Sequence, residues 1–310
     1  MARRTLATAA ALAAGLAVAA CGSSSTASSG ASGSSGTSAT TATGPGPAAG
    51  TVPAASPDAA AAAMVPAKLK SAGVVNVATD ASYAPNEFRD ASNQIVGMDV
   101  DLGNAIGQVL GVKFKFSDES FDAIIGSLGS RFDLGMSSFT DTKAREQQVT
   151  MVDYFSAGEN IMTLAGKHTD LTSLAALCGH TVGVEKGTTE LDDATTQAKS
   201  CKLTVSAFDD EGQVNQALAS GRVDAAFADS PVNAYFAKQS NGQFAVVSPT
   251  FSTAPYGIAV PKGSDYTGFP QAIEAALTDL QKSGTYAAIL GKWGIQSGAV
   301  TSFAINGATS

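Results

Sequence analysis

The stretch GMSSFTDTKAR, residues 135–145, places hydroxyl side chains and an arginine at a spacing that suits the binding of a small anion. Ser138 and Thr140 lie at the end of a predicted buried strand, and Arg145 follows one helical turn later. A guanidinium offers a planar fork of N–H donors that matches the two oxygens of a carboxylate, and hydroxyl and backbone N–H groups can donate to the same anion. The stretch therefore predicts a carboxylate-binding site.

A second interpretation of this stretch stays open when only the spacing is considered. Asp141 or Thr142 can cap the start of a helix, which would leave Arg145 solvated on the flank of that helix. The elements that surround the stretch must decide between the two interpretations.

The composition limits the domain organisation and the partners that this chain can have. The chain has 310 residues, of which 44% are apolar, so it can bury a core in one large domain or in two ordinary ones. Its formal net charge is −8, and loss of Arg3 and Arg4 with an N-terminal signal would leave 17 basic residues against 27 acidic ones. Because no basic run is present to neutralise phosphates, we expect no nucleic-acid partner.

Residues 1–21 have the pattern of an export signal, with a basic start, an apolar middle and small residues before Cys21. The apolar part is short and rich in alanine for a membrane-spanning helix. The segment VAAC, residues 18–21, resembles the lipobox of bacterial lipoproteins. It predicts that Cys21 is lipidated and anchors the exported protein to the outer face of the cytoplasmic membrane. The alternative is an ordinary signal peptide in which the cysteine is incidental.

Residues 22–65 are rich in serine, glycine, alanine and threonine and show no apolar periodicity. A segment of this composition cannot bury a core, so we predict a disordered tether.

Two further cysteines, Cys178 and Cys201, lie in the part of the chain that is predicted to fold. In an exported protein such a pair predicts a disulfide, and closing the loop between them would stabilise the fold by about 3 kcal/mol. Two separate buried thiols are the alternative.

Strand and helix patterns alternate through the rest of the chain. VVNVAT, residues 74–79, reads as a β-branched strand, and residues 96–111 read as a strand that turns into a helix ending at Gly111. Residues 132–138 read as a mostly buried strand. A second round of strands and helices starts with HTVGVEKG, residues 180–187. This alternation is typical of α/β proteins with parallel sheets.

Two extended segments, NIMTLAGK and PYGIAVPKG, bracket the second round. If both are crossing strands, the chain forms one lobe from residues 66–163 and 256–305 and a second lobe from residues 164–255. Two α/β lobes joined by two hinge strands enclose a cleft, and ligands in such sheets bind at the carboxyl ends of the strands.

A family resemblance extends over residues 74–293. Its segments, in chain order, are ATDASYAPNEF, VGMDVDLGNAI, SFDAIIGSL, DLGMSSFTDTKAREQQVTMVDYF, VGVEKGTTE, GRVDAAFADSP, YGIAVPKG and LQKSGTYAAILGKWG. In these segments the chain resembles the family 3 extracytoplasmic solute-binding proteins, which bind amino acids for bacterial ABC importers. The resemblance implies a two-lobed type II periplasmic-binding-protein fold that closes on a free amino acid and delivers it to a membrane permease. It implies neither catalysis nor a cofactor, and we expect a monomer.

The resemblance also assigns roles to residues at both ends of the ligand. It implies that Arg145 binds the ligand carboxylate with help from Ser138 and Thr140. Thr188 and Thr189 match positions that reach the carboxylate from the opposite side. These five residues would form the carboxylate end of the site.

Four further positions match the remainder of the family's site. Asp229 corresponds to the aspartate that takes the α-ammonium, and it can also cap the helix that follows. Tyr83 and Phe121 correspond to aromatic residues that sandwich the ligand side chain, with core packing as an alternative for Phe121. Asp80 corresponds to a contact with the polar end of the ligand.

The chain departs from the family at Glu185, where many members carry a neutral or basic residue. Together with Asp80 and Glu190, this residue gives the predicted cleft an unusual share of acid, and a buried carboxylate needs a partner. We therefore expect a cationic or strongly polar ligand such as lysine, arginine or ornithine. Pairing of Glu185 with Lys186, or exposure to solvent, is the alternative.

An enzyme is the competing functional class. Proteins that resemble cyclohexadienyl dehydratases share this fold, and Glu185 could act as their catalytic acid if its pKa were raised. The two histidines, His168 and His180, lie twelve residues apart without ligand-spaced companions, so the sequence predicts no metal site.

Overall fold

The structure, a computed structural model of the chain, describes residues 52–309. The strands in chain order are β1 Val74–Thr79, β2 Ser82–Tyr83, β3 Glu87–Arg89, β4 Ile95–Val96, β5 Lys113–Asp118, β6 Leu134–Gly135, β7 Val149–Leu164, β8 Thr181–Glu185, β9 Thr204–Phe208, β10 Ala225–Asp229, β11 Phe244–Val246 and β12 Phe251–Pro261. The helices are α1 Ala59–Met64, α2 Ala67–Ala72, α3 Met98–Leu110, α4 Phe121–Ser127, α5 Lys143–Gln148, α6 Thr189–Ala198, α7 Glu211–Ala219, α8 Ser230–Gln239, α9 Phe269–Lys282 and α10 Thr285–Trp293. Among these described helices, none is long and apolar enough to cross a membrane.

One nine-stranded sheet runs through the folded part of the chain in the order β5-β1-β6-β12-β7-β10-β8-β9, with β11 paired to β7. β1 pairs in parallel with β5 and β6, and β8 pairs in parallel with β9 and β10. Between these two parallel sets lie the long strands β7 and β12, which pair antiparallel with each other. A small second sheet has the order β2-β3-β4.

The apolar core divides at β7 and β12. On the β1 side, Val77, Ile106 and Leu277 are among the buried residues that pack between the sheet and helices α3 and α9. On the β8 side, Val182 and Phe227 belong to a separate buried cluster. We call the part on the β1 side lobe 1 and the part on the β8 side lobe 2.

Several elements confirm the sequence patterns. Strand β1 spans residues 74–79, and α3 ends at Gly111, whose left-handed φ of 69° forms its C-cap. This is the conformation that glycine adopts most readily. The predicted strand over residues 132–138 is shorter, because only Leu134–Gly135 pair and the chain then leaves the sheet through Ser138 at a φ of 52°.

The predicted boundary of the disordered tether, at residue 65, is wrong. Residues 59–64 form α1, where Ala61 and the following Val65 are buried in the core of lobe 1. Asp58 caps this helix by accepting a hydrogen bond from the Ala61 amide, and its own amide donates to the Val109 carbonyl at 3.0 Å. Low complexity suggested disorder, but a run of alanines after an aspartate is also a capped helix of high propensity.

The predicted disulfide between Cys178 and Cys201 is confirmed, with a Cα–Cα distance of 5.8 Å. It joins the segment before β8 to the segment between α6 and β9 in lobe 2. Cys21 and the predicted signal peptide lie outside the described residues.

Candidate functional site

One cavity between the lobes collects every residue that the sequence assigned to ligand binding. These residues are Asp80, Tyr83, Phe121, Ser138, Thr140, Arg145, Glu185, Thr188, Thr189 and Asp229. Three further residues, Glu87, Ser137 and Glu190, complete its lining.

The sheet explains why residues so distant in sequence meet. Asp80 follows β1, and Ser138 follows β6 by three residues, both in lobe 1. Glu185 and Asp229 end β8 and β10 in lobe 2. The cavity therefore lies where the carboxyl ends of both parallel sets face each other.

Arg145 reaches into the cavity from the first turns of α5. Thr142 caps this helix, and its hydroxyl accepts a hydrogen bond of 3.2 Å from the Arg145 amide. The guanidinium donates from Nη1 to the Thr140 carbonyl at 2.8 Å and from Nη2 to the Gly187 carbonyl at 2.9 Å. The helix cap and the cavity position thus coexist, and the idea of a solvated arginine is wrong. Of the five N–H donors of the guanidinium, three are not used in these two bonds.

Two phenylalanines support the arginine. The Arg145 Cζ lies 5.4 Å from the ring centroids of both Phe121 and Phe139. The two rings stack on each other with centroids 4.6 Å apart. Phe121 also packs against the small apolar cluster around Ile124. Phe121 therefore lines the cavity and contributes to core packing at once.

Burial sets the electrostatics of Arg145. It lowers the pKa of the guanidinium below its ordinary value, whereas the nearby charges of Glu190 and Asp229 act in the opposite direction. An arginine remains charged under such conditions because its ordinary pKa is so high. The site thus holds a fixed positive charge close to buried acids.

Asp229 and Tyr83 connect the two lobes. The Tyr83 hydroxyl donates to Oδ2 of Asp229 at 3.0 Å, and it accepts the Asp229 amide at 3.1 Å. Asp229 is also the N-cap residue of α8, but its side chain makes no capping hydrogen bond. Burial raises the pKa of Asp229 to about 6, and the hydrogen bond from Tyr83 opposes that rise. The carboxyl group is thus directed at the cavity rather than at the helix.

The structure corrects the donor role expected of Ser138. Its amide donates to Oδ2 of Asp99 at 3.0 Å, and its hydroxyl donates to Oε2 of Glu87 at 3.1 Å. Both groups that the sequence offered to an anion are thus used inside the protein. Ser138 therefore lines the cavity with a positive φ, while its amide and hydroxyl donate to the buried acids Asp99 and Glu87 and not to a free anion.

Glu87 is the principal residue that sequence reasoning missed. It is fully buried and accepts hydrogen bonds from Ser137 and Ser138 through its two oxygens. Burial and the charge of Asp99 raise its pKa well above the usual range. Local sequence gives no signal for this role, because the partners Ser137 and Ser138 follow β6 about fifty residues further on.

The threonines that line the cavity come from both lobes. Oγ1 of Thr140 in lobe 1 lies 3.4 Å from Oγ1 of Thr189 in lobe 2. The Thr188 hydroxyl accepts the Leu191 amide and donates to the Glu185 carbonyl, so it caps α6. Thr188 and Thr189 line the cavity from lobe 2, and their contact with the ligand carboxylate stays a prediction.

The lobe 2 wall carries an unusual amount of buried acid. Glu185 and Glu190 are each only 3% exposed, and one carboxyl oxygen of each makes no hydrogen bond. Burial raises the pKa of both groups well above the usual range, and nearby carboxylates add to the effect. Glu185 thus neither pairs with Lys186 nor points to solvent, and Lys186 pairs instead with Asp209.

Asp80 adds an acid from lobe 1. It is 5% exposed, and its Oδ2 accepts the Phe121 amide at 3.1 Å. Burial raises its pKa to about 6. Across residues 52–309, no Lys or Arg nitrogen lies within 4.0 Å of the carboxyl oxygens of Asp80, Glu185, Glu190 or Asp229.

Comparison with known proteins identifies the family of the chain. The family model of bacterial extracellular solute-binding proteins, family 3, matches residues 75–296. The chain belongs to this family, which confirms the prediction made from the eight sequence segments.

The chain is similar to sequence relatives and to solved structures along most of their length. An arginine-binding protein of Corynebacterium glutamicum is 33% identical over 252 residues, which cover 79% of this chain and 82% of that protein. The structure of an ancestral arginine-binding protein bound to arginine is 38% identical, has a TM-score of 0.67, and covers 71% of this chain and 98% of its own. An ancestral amino acid-binding protein, a precursor of cyclohexadienyl dehydratase, is 33% identical with a TM-score of 0.67, covering 73% of this chain and 97% of its own. The predicted two-lobed type II periplasmic-binding-protein fold is thus confirmed.

Proposed function

We propose that this chain is the extracytoplasmic binding subunit of an ABC importer and that it binds a free amino acid with a cationic side chain, such as arginine, lysine or ornithine. It releases this ligand to a membrane permease. Family membership supports the general role, and the cavity supports the choice of ligand.

The observation that carries the proposal is the set of buried carboxyl groups without a cation from the protein. Asp80, Glu185 and Glu190 line one cavity, and no lysine or arginine of residues 52–309 pairs with them. Buried acids of this kind either stay protonated or bind a positive group. A guanidinium or ammonium on the ligand side chain would supply that group.

The backbone groups of the ligand have their own partners in this proposal. Arg145 binds the carboxylate through the guanidinium donors that are not used by Thr140 and Gly187. Asp229 accepts the α-ammonium from the other lobe. Because the two groups belong to different lobes, an amino acid that contacts both stabilises the closed arrangement over an open one.

The relatives support this assignment. The Corynebacterium relative is named as an arginine-binding protein, and the ancestral structure holds arginine. A lysine/arginine/ornithine-binding periplasmic protein of Escherichia coli is 32% identical over 218 residues.

We further propose that the protein is exported as a lipoprotein through residues 1–21, with the acyl chains on Cys21 and the folded part held outside the membrane as a monomer. This rests on the sequence pattern alone. Metabolic labelling with a palmitate analogue tests it, since a Cys21→Ser variant should lose both the label and its membrane association.

A thermal-shift screen of the ligand-stripped protein against the common amino acids tests the binding function. A ligand that binds the native state raises the midpoint of unfolding, so arginine, lysine or ornithine should give the largest shifts. No shift with any amino acid would contradict the proposal.

A dehydratase is the second candidate, because Glu185 has the raised pKa that a catalytic acid needs and one related ancestor is a precursor of such an enzyme. We propose that the chain is not an enzyme, since the relatives it resembles along most of their length are named as amino-acid-binding proteins. Turnover of prephenate or arogenate by the purified chain would reverse that choice.

A further inference from the structure

The two histidines of the chain, which the sequence spacing left without companions, meet an aspartate in lobe 2. His168, His180 and Asp224 each offer a ligand atom, and these atoms all lie within 4.8 Å of one another. Nε2 of His168 is 3.5 Å from Oδ1 of Asp224, and Nδ1 of His180 is 3.7 Å from its Oδ2. The imidazole centroids are 5.0 Å apart with the rings nearly perpendicular.

We propose that these three side chains form a binding site for a divalent transition-metal ion of the zinc type. Imidazole nitrogens favour zinc, copper and nickel, whereas calcium and magnesium prefer sites built only from oxygen. Two imidazoles and one carboxylate are a common ligand set for Zn²⁺ and leave a fourth position for water.

The distances between the ligand atoms fit such an ion. Bonds of about 2.0–2.1 Å in a tetrahedron place two ligand atoms about 3.4 Å from each other. The two nitrogen–oxygen distances, 3.5 and 3.7 Å, are close to this value but involve different oxygens of Asp224. Because the three ligand atoms lie within 4.8 Å of one another, the side chains must draw together by up to about 1.4 Å to share one ion. All three side chains are about one third exposed, with 34%, 27% and 36% of their surface accessible, so an ion can enter from solvent.

The backbone around the site is well fixed. The Asp224 amide donates to the Thr181 carbonyl at 2.8 Å, and Oδ2 of Asp224 accepts the Thr181 amide at 2.8 Å. His180 lies two residues after Cys178, whose disulfide with Cys201 restrains the segment. The three ligands come from separate segments that lead out of β7 and into β8 and β10, so an ion would connect parts of the sheet that are distant in sequence.

The proposed metal site is separate from the ligand cavity. His180 and Asp224 precede β8 and β10, whereas Glu185 and Asp229 end those strands at the cavity. The two ends of β8 are about 13 Å apart at the usual rise of a strand. We therefore expect the ion to stabilise lobe 2 without changing the affinity for the amino acid.

Calorimetric titration with Zn²⁺ tests the site. The untagged, oxidised chain carries Cys21→Ser, so that no free thiol binds the metal, and it is stripped with a chelator beforehand. We expect one Zn²⁺ per chain and a higher midpoint of thermal unfolding, with no comparable effect of Mg²⁺. Absence of binding, or equal binding of Mg²⁺, would overturn the proposal.

Matched variants locate the ion. His180→Ala and Asp224→Asn should each weaken Zn²⁺ binding by at least about tenfold. Removing a residue that only orients a metal ligand already costs about that much affinity, and removing the ligand itself should cost no less. Asp170→Asn removes a nearby exposed carboxylate that is not part of the group and should leave binding unchanged. Wild-type affinity in a His168→Ala/His180→Ala double variant would rule the site out.

Nuclear magnetic resonance of the imidazole groups gives a test that needs no histidine variant. The chain contains only two histidines. With one equivalent of Zn²⁺, the signals of both side chains should shift together. If neither shifts, or only one does, the two histidines do not share an ion.

Discussion

At the scale of single residues, Arg145 combines a structural and a functional role. Two of its N–H groups donate to backbone carbonyls, one in each lobe. Two phenylalanine rings pack beside the guanidinium and restrict its orientation. Pre-orientation of this kind reduces the conformational entropy that binding would otherwise cost. The donors that remain can therefore be offered to a carboxylate in a fixed direction.

We predict that Arg145→Ala weakens amino-acid binding by about 2–5 kcal/mol, the range found when one partner of a buried charge pair is removed. Isothermal titration calorimetry measures the change. Arg131→Ala is the matched control, since this lobe 1 arginine is exposed and pairs with Glu119 at the surface. Unchanged affinity in Arg145→Ala would remove this residue from the site.

The sequence predicted which residues line the cavity, but it did not predict their hydrogen-bond partners. All ten predicted residues line one cavity, because strand ends and a family motif fix where a side chain lies along the chain. The partners of Ser138 depended on a single left-handed φ and on Glu87 and Asp99, which approach it only in the folded state. The meeting of His168 and His180 with Asp224 was missed for the same reason.

At the scale of elements, the turn between β8 and α6 brings lobe 2 against lobe 1. Gly187 in this turn has a φ of 79°, and a Cβ atom added there would lie 2.9 Å from the Cα of Asp122 in α4. The same glycine accepts the hydrogen bond from Arg145. A residue without a side chain is needed at this position for the lobes to approach so closely.

We predict that Gly187→Ala weakens amino-acid binding by about 1–3 kcal/mol, the usual cost of overpacking. The positive φ penalises the variant in every state, but the clash with α4 arises only when the lobes are in contact. Calorimetry with arginine measures the loss of affinity.

Gly126→Ala is the matched control for this variant. Gly126 lies in α4 with open space around it and does not have a positive φ, so its substitution should leave affinity unchanged. Equal affinity of Gly187→Ala and the wild type would show that this turn does not limit the approach of the lobes.

The regular elements were predictable because their signals are local. Strand β1 and helix α3 follow from β-branched runs, from apolar spacing and from a terminal glycine. Helix α1 was not predicted, because its alanines look like tether composition until Asp58 and the surface of α3 provide a cap and a packing partner. Tertiary contact decided the structure there.

At the scale of the whole molecule, buried acids make the free energy of unfolding depend on pH. Burial raises the pKa of Asp80 and Asp229 to about 6 and that of Glu159 to about 8. In the unfolded chain, such groups have pKa values of about 4. Between these values the folded state keeps protons that the unfolded state has lost.

We predict that the ligand-stripped protein loses stability as the pH rises from about 4 to about 8. Stability from these groups is complete below their unfolded pKa and is lost as the pH passes the folded pKa. Urea unfolding at pH 5 and pH 8 measures the difference, and Asp229→Asn should make the dependence weaker. Greater stability at pH 8 than at pH 5 would contradict this account.

Bound cationic ligand should reverse part of this loss. A positive side chain favours the ionised form of the acids around it, so the stability gained from saturating arginine should be larger at pH 8 than at pH 5. If the stability gained from arginine does not change with pH, the buried acids do not interact with the bound ligand.

The most direct test of the account compares L-arginine with L-citrulline by calorimetry on the ligand-stripped protein. The two amino acids have nearly the same shape, but only arginine carries a positive side chain. If Asp80, Glu185 and Glu190 select that charge, arginine should bind at least about tenfold more tightly, equivalent to about 1.4 kcal/mol. Equal affinity for the two amino acids, or tighter binding of citrulline, would contradict the central claim that buried carboxylates choose the ligand.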